Sequence, residues 1–278
     1  MTLRFDINLS ILFTELPLLE RPAAARAAGF TAAEFWWPFG TEAVPSDRDV
    51  DAFVGALDDA GVALVGLNFL DDLSVGAKGL VSVPEHAKRF RDSIDVAVGI
   101  AERTGCRNLN ALYGNRIEGR VDLQNDLQDD LAVENLAAAT AAASRIGATV
   151  LLEALNAIES PAYPITSTAA ALAEIDRVSA ATGATNLAFL CDLYHLARME
   201  EDLFATIAAH ADRFGHVQIA DIPARGEPDS GALDFTALFK ALSEAGYTAE
   251  SGRGWVGLEY KPSTGITTDS FEWMESLS

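Results

Sequence analysis

Cysteine and histidine are scarce in this chain: two and four residues among 278. Cys106 and Cys191 form no C-x-x-C pair, so neither a structural zinc nor a redox dithiol has support. Each sits in an apolar run, where a thiol packs as a small hydrophobe. Four histidines are too few for a multi-zinc centre. Cations are also in deficit, with 20 Lys and Arg against 41 Asp and Glu and a net charge of −21. Nucleic acids and anionic membrane surfaces are themselves negative, so neither is an expected partner; solubility accounts for the acidity. No run approaches the roughly 18 apolar residues of a membrane span, and no basic stretch leads into an apolar one at the N-terminus. The expected protein is soluble, reduced and cytoplasmic, with a small molecule as its partner and a composition compatible with a homo-oligomer.

What is present is a repeating unit. Amphipathic helical stretches such as 47–60, 84–104, 123–146, 167–182 and 235–245 alternate with short apolar runs, and glycines at 29, 61, 105, 147, 183 and 246 mark helix ends. The apolar runs are 4–9, 32–37, 63–70, 107–112, 149–156, 187–194, one opening at Gly215, and 255–260. They are continuous rather than alternating, as in strands covered on both faces. Ser82 with Glu85 reads as a capping box, and Asp234 as a helix N-cap. Eight β/α units imply parallel strands with right-handed crossovers, closing into a single-domain α/β fold, the (β/α)₈ TIM barrel. An open doubly wound sheet is disfavoured, because the first strand runs into Asn8-Leu-Ser-Ile and not a Gly-rich phosphate loop.

In such barrels the chemistry gathers where the strands end. Polar residues fall late in these runs: Asn8, Glu34, Asn68, Asn110, Glu153, Asn156, Asp192, His195, Gln218, Asp221 and Glu259. Glu153, Asp192 and Glu259 have little nearby positive charge on their own strands. Three acids converging at one barrel mouth call for a cation, and Gln218 adds a neutral carbonyl oxygen. The reading is one divalent metal held by Glu153, Asp192, Gln218 and Glu259, and the all-oxygen set favours Mg²⁺ or Mn²⁺. A metal beside two glutamates suits proton transfer between adjacent carbons of a hydroxy-aldehyde or hydroxy-ketone through a cis-enediolate, with Glu153 and Glu259 as acid and base.

Further candidates for substrate contact are His195, His216, Arg225, Glu227, Asn110 and Trp37. Each has a plainer role beside it. His195 and His216 can pack or cap, Arg225 and Glu227 can pair at the surface, and Trp36, Trp37 and Phe69, candidates for an apolar wall beside the sugar carbons, can simply fill the core.

Several stretches carry a family likeness when taken in order: Asn8-Leu-Ser-Ile-Leu-Phe-Thr-Glu15, Glu34-Phe-Trp-Trp-Pro38, Leu109-Asn-Ala-Leu112, Cys191-Asp-Leu-Tyr-His195, His216-Val-Gln-Ile-Ala-Asp221 with Arg225-Gly-Glu-Pro228, and Val256-Gly-Leu-Glu-Tyr-Lys-Pro262. Over nearly its full length the chain resembles the hydroxypyruvate isomerases, a branch of the xylose-isomerase-like barrels. The resemblance implies catalytic glutamates at Glu153 and Glu259, the metal ligands named above, and His195 and Arg225 near substrate. A 2-oxo-tetronate isomerase or a ketose 3-epimerase would use the same glutamates. A non-catalytic sugar-binding barrel and an endonuclease IV-like phosphodiesterase are the distant alternatives. Two departures stand out. Ile158 occupies a position where the family commonly has arginine, removing a cation from the rim, and the loop Asp71–Gly76 adds acidic residues there.

Overall fold

The computed structural model describes residues 3–117 and 123–277. Eight strands appear where the apolar runs predict them: β1 Arg4–Asn8, β2 Ala32–Phe35, β3 Ala63–Asn68, β4 Asn108–Asn110, β5 Thr149–Glu153, β6 Leu187–Asp192, β7 Phe214–Ile219 and β8 Trp255–Leu258. They pair in parallel, in sequence order, and β8 returns to β1 to close the barrel. Closure removes every sheet edge, so the strand backbones are satisfied within the ring.

The helices are α1 Arg21–Ala27, α2 Asp47–Ala60, α3 Ala87–Thr104, α4 Leu123–Ser144, α5 Thr168–Thr182, α6 Leu193–Arg198, α7 Leu203–His210 and α8 Phe235–Glu244. Their starts follow from side-chain caps. Ser46, Ser167, Asp202 and Asp234 each accept a hydrogen bond from the backbone N–H three residues on. Phenylalanines cement this layer to the strands; Phe35 meets Phe53 of α2 edge to face, and Phe69 meets Phe90 of α3. No described helix is long and apolar enough to cross a membrane.

Two local expectations are corrected. The capping box at Ser82 and Glu85 does not form; a 3₁₀ turn over Pro84–His86 precedes α3, with Val83 at its N-cap and no side-chain cap. Ser82 is buried and committed elsewhere, its N–H donating to the Tyr113 carbonyl at 2.7 Å and its own carbonyl accepting from Gln128 at 3.2 Å. The sixth strand stops at Asp192 and not at Tyr194, because the Asp192 carboxylate accepts from the N–H groups of Tyr194 and His195 and starts α6 there.

Strand alternation sends Asp6 and Asn8, Glu34, Asn68, Asn110, Glu153, Asp192, His216 and Gln218 into the barrel. One of these acids fits only because a neighbour has no side chain. A Cβ at Gly257 would lie 2.7 Å from a Glu34 carboxylate oxygen. Asp234 serves only its helix, accepting from Ala237 N at 2.9 Å. Asp234→Ala should therefore lower the melting temperature by roughly 2–4 °C, the effect of losing about 1 kcal/mol of capping. An unchanged melting curve, read by circular dichroism, would contradict the cap assignment.

Candidate active site

Two polar layers stack inside the barrel. In the upper layer, ligand atoms of Glu153, Asp192, His195 and Glu259 lie within 4.8 Å of one another, all buried. The lower layer holds Asp6, Glu34 and His216, also buried and equally close. Asn8 and Gln218 tie the two together. Asn8 Nδ2 donates to Glu34 Oε1 at 2.9 Å and to Glu259 Oε1 at 3.1 Å, and Gln218 Nε2 donates to Glu34 Oε1 at 2.7 Å.

The lower layer neutralises itself. His216 Nε2 lies 2.8 Å from Glu34 Oε2 and 3.9 Å from Asp6. Burial works against charge on His216, but the hydrogen bond and charge of Glu34, with Asp6 and Glu259 beyond, outweigh it and raise its pKa. Burial, then the charge of Glu34, pushes Asp6 well above the carboxylate range. His216 and Glu34 thus form a pair, and burial favours a proton on Asp6.

The upper layer does not balance. Burial, then the charges of Glu259 and Asp192, drives Glu153 upward; burial also raises Asp192, and it pushes Glu259 up to about 7 even against the opposing Arg225. Arg225 is the one cation bonded to this trio among the described residues; its Nη2 donates to Glu259 Oε2 and its guanidinium lies 5.2 Å from the centre of the Tyr194 ring. With all three ionised, one guanidinium would leave two negative charges, which one divalent ion would match.

The donor set fits such an ion. Gln218 gives its amide nitrogen to Glu34, so its Oε1 is left buried without a partner. An orphaned carbonyl oxygen on the residue that pairs with Asp192 across β6 and β7 is costly unless something accepts its lone pairs. Glu153 offers Oε1 because Asn110 Nδ2 holds Oε2 at 2.8 Å. Asp192 offers Oδ2 because Oδ1 caps α6. His195 is different. Its Nδ1 accepts from Asn156 N at 3.1 Å and sits 2.7 Å from Asn156 Nδ2, which places the proton on Nε2, facing Asp192 at 3.6 Å and Glu153 at 3.9 Å. Burial, then the charges of Arg225 and Lys78, holds the ring well below its usual pKa and so neutral. It presents an N–H donor to the cleft and no lone pair.

Other predicted residues divide. Asn110, His195 and Arg225 reach the site. His216 lies one layer below and touches Gln218 only through Glu34. Glu227 sits apart: its carboxylate accepts from Ser263 N at 2.9 Å and from Ser263 Oγ, in an outer recess with Pro228 and Asp229. Glu227 is thus not brought to the cleft, and the alternative of a surface Arg225–Glu227 pair is replaced by the Arg225–Glu259 bond. Trp37 turns into the core and donates to the Glu42 carbonyl at 2.9 Å, whereas Trp36 lines the cleft and donates to Glu259 Oε1 at 2.6 Å. Alternation carries that signal, since Trp36 follows Glu34 by two and shares its side. The same rule finds Asp6, two before Asn8. Phe69 is core.

The acidic loop after β3 adds no free charge at the rim. Asp71 accepts from Asn68, Trp37 N and Leu73 N, and Asp72 pairs with Arg89. In the loop after β7, the Asp221 carboxylate collects four backbone N–H groups, from Ile222, Gly231, Ala232 and Leu233. That clamp presents Arg225, whose own backbone is held at a φ of +59. A residue with a Cβ keeps such a conformation only where its surroundings impose it.

The cleft is small, about 60 Å³, and is lined by Trp36, Lys78, Glu153, His195, Arg225 and Glu259 among others. A wider recess of about 640 Å³ opens at the opposite end, around Arg107, Asn186, Arg213 and Arg253. It lacks converging acids, and the strands begin there, so the chemistry is read at the narrower end.

Residues 22–277 match the family model described as xylose isomerase-like TIM barrel. A putative hydroxypyruvate isomerase of Streptomyces coelicolor is 54% identical over 98% of this chain and 95% of its own length. The hydroxypyruvate isomerase of Escherichia coli is 34% identical over 98% of each chain. A solved structure from Brucella melitensis, described as an AP endonuclease of family 2, superposes with a TM-score of 0.86 at 35% identity, covering 99% of both chains.

Burial makes the folded protein bind the Glu259 proton more tightly than the unfolded chain does. Stability of the cation-free protein should then fall as pH rises from about 4.5 to about 7. Glu259→Gln should flatten that part of the profile, measured by urea unfolding after chelation. An identical slope in the variant would show that Glu259 does not carry the effect.

Proposed function

This chain belongs to the xylose isomerase-like TIM barrel family, and from that premise we propose that it is a divalent-metal-dependent isomerase of the aldose–ketose type. Its proposed reaction interconverts hydroxypyruvate and tartronate semialdehyde. The observation carrying the proposal is the convergence of three buried carboxylates at the carboxyl ends of the strands, with Gln218, its Oε1 unpartnered, paired beside Asp192. The names of the Streptomyces and Escherichia relatives supply the substrate.

In this proposal Glu153, Asp192, Gln218 and Glu259 hold the ion, and their oxygens favour Mg²⁺ or Mn²⁺. Bound there, the ion supplies Lewis-acid polarisation of the carbonyl and acidifies the neighbouring C–H. Glu153, with Oε1 free toward the cleft, takes the proton from C3 of hydroxypyruvate and leaves a cis-enediolate. The His195 Nε2–H, fixed by Asn156, hydrogen-bonds the C2 oxygen, to which the C3 hydroxyl proton passes as C3 becomes the aldehyde. A carboxyl group, Glu153 or Glu259, returns a proton to C2 and completes the transfer. Glu259 is held between Asn8, Trp36 and Arg225, so its orientation is set before substrate arrives. Trp36 walls the cleft beside the reacting carbons.

The activity named for the Brucella structure is less well supported. Phosphodiester cleavage on DNA calls for a cationic face and several histidine ligands, whereas this chain carries −21 and its upper layer contains one histidine, with Nδ1 engaged by Asn156.

Glu153→Gln and Glu259→Gln should each lower kcat by about a thousandfold while the circular-dichroism spectrum stays that of the folded barrel. Turnover near the wild-type rate in either variant would overturn the acid–base roles. Chelation with EDTA should abolish turnover and lower the melting temperature, and Mg²⁺ or Mn²⁺ should restore both. An unaffected chelated protein would overturn the metal. In deuterated water, NMR should find one deuterium at C2 of the product; deuterium on an unchanged carbon skeleton, with the carbonyl unmoved, would indicate an epimerase.

A further inference from the structure

We infer that Lys78 recognises the substrate carboxylate and selects small 2-oxo acids over neutral ketoses of the same size. This rests on the proposed reaction and deepens it.

The cleft is hostile to anions. Glu153, Asp192 and Glu259 face it, and Glu159 lines its wall. An acid substrate needs a compensating cation away from the reacting carbons. Arg225 is already bonded to Glu259, and its Nε reaches the Glu259 carbonyl at 3.3 Å. Arg89 is spent on Asp72, and Arg116 on Asp129 at 2.7 Å. Ile158, where the family resemblance would supply an arginine, is apolar and 61% exposed.

Lys78 differs from all of these. It is half-buried and lines the cleft beside Glu153, His195 and Arg225, yet its ammonium makes no hydrogen bond or ion pair within the described residues. Its charge is felt at His195. The backbone that carries it is pinned on both sides. Gly114 N donates to the Lys78 carbonyl at 3.0 Å, and Gly79 N donates to the Asp71 carbonyl at 3.0 Å. Gly79 forms an antiparallel bridge with Tyr113 and has a φ of +91; a Cβ there would fall 2.0 Å from the Leu112 carbonyl oxygen. Only glycine allows the loop to lie this close to the end of β4. The buried Asp71 and the Asp72–Arg89 pair fix the start of the same loop. A fixed backbone bearing an unpaired ammonium at the mouth of an acidic cleft is an arrangement with an anionic ligand still to be supplied.

Dihydroxyacetone is the matched probe, since it replaces the hydroxypyruvate carboxylate with a neutral CH₂OH and leaves the hydroxy-ketone unchanged. Lys78→Met should raise the KM for hydroxypyruvate by about tenfold to a hundredfold, with kcat within about threefold of wild type. Lys78→Arg should recover most of the loss. The inhibition constant of dihydroxyacetone as a competitor should stay within about twofold in both variants. Calorimetric titration with hydroxypyruvate should show the same weakening independently of turnover. An unchanged KM in Lys78→Met, or equal weakening of both ligands, overturns the role of Lys78 while leaving the proposed reaction standing. A wild-type protein that neither binds nor converts hydroxypyruvate overturns the reaction itself, and with it this inference.

Discussion

Charge that cannot escape to water decides how the interior of this barrel is arranged. Five carboxylates, from Asp6, Glu34, Glu153, Asp192 and Glu259, are buried in one column with two histidines and one guanidinium. Such groups are tolerated only when they are protonated, paired or bound to a cation. The lower layer uses the first two solutions, with burial favouring a proton on Asp6 and His216 paired with Glu34. The upper layer sets one guanidinium against three acids, whose pKa values burial raises, and so invites a cation. The difference makes one layer a support and the other a site. Glu34 links them. Its oxygens take hydrogen bonds from Asn8, Gln218 and His216, and Gly257 leaves it room. Through Asn8 and Gln218 it aims groups at the upper layer without entering that layer.

Much of this was legible in the chain. The eight apolar runs and the glycines between them gave the barrel, because a strand covered on both faces reads as continuous hydrophobicity and a helix end needs a left-handed residue. The rule that barrel chemistry gathers at strand ends singled out Glu153, Asp192, Gln218 and Glu259 as candidates. Alternation, followed two residues back along β1 from Asn8, would also have yielded Asp6.

What stayed hidden was set by contacts with no period. Glu227 and Arg225 are two residues apart and invite pairing, yet the Asp221 clamp turns Arg225 inward while Ser263 takes Glu227. Ser82 and Glu85 have capping-box spacing, but burial of Ser82 against β4 and α4 overrides it. Asp71 and Asp72 look like loose rim charge until Arg89, from a helix 17 residues on, closes over Asp72. Lys78 carries no sequence signal at all; it reaches the cleft because Gly79 lets its loop approach the end of β4. Loop partners are chosen in three dimensions, and local spacing cannot report them.

The upper-layer acids also share a habit. Asp192 commits one oxygen to the start of α6, Glu153 commits one to Asn110, and Glu259 is gripped by Asn8, Trp36 and Arg225. A carboxylate with half of itself anchored to the scaffold has little freedom to swing. The conformational entropy of ordering these side chains is lost when the chain folds, so an arriving ligand meets a preorganised mouth and need not freeze it. Rigidity here belongs to the empty cleft as much as to the filled one.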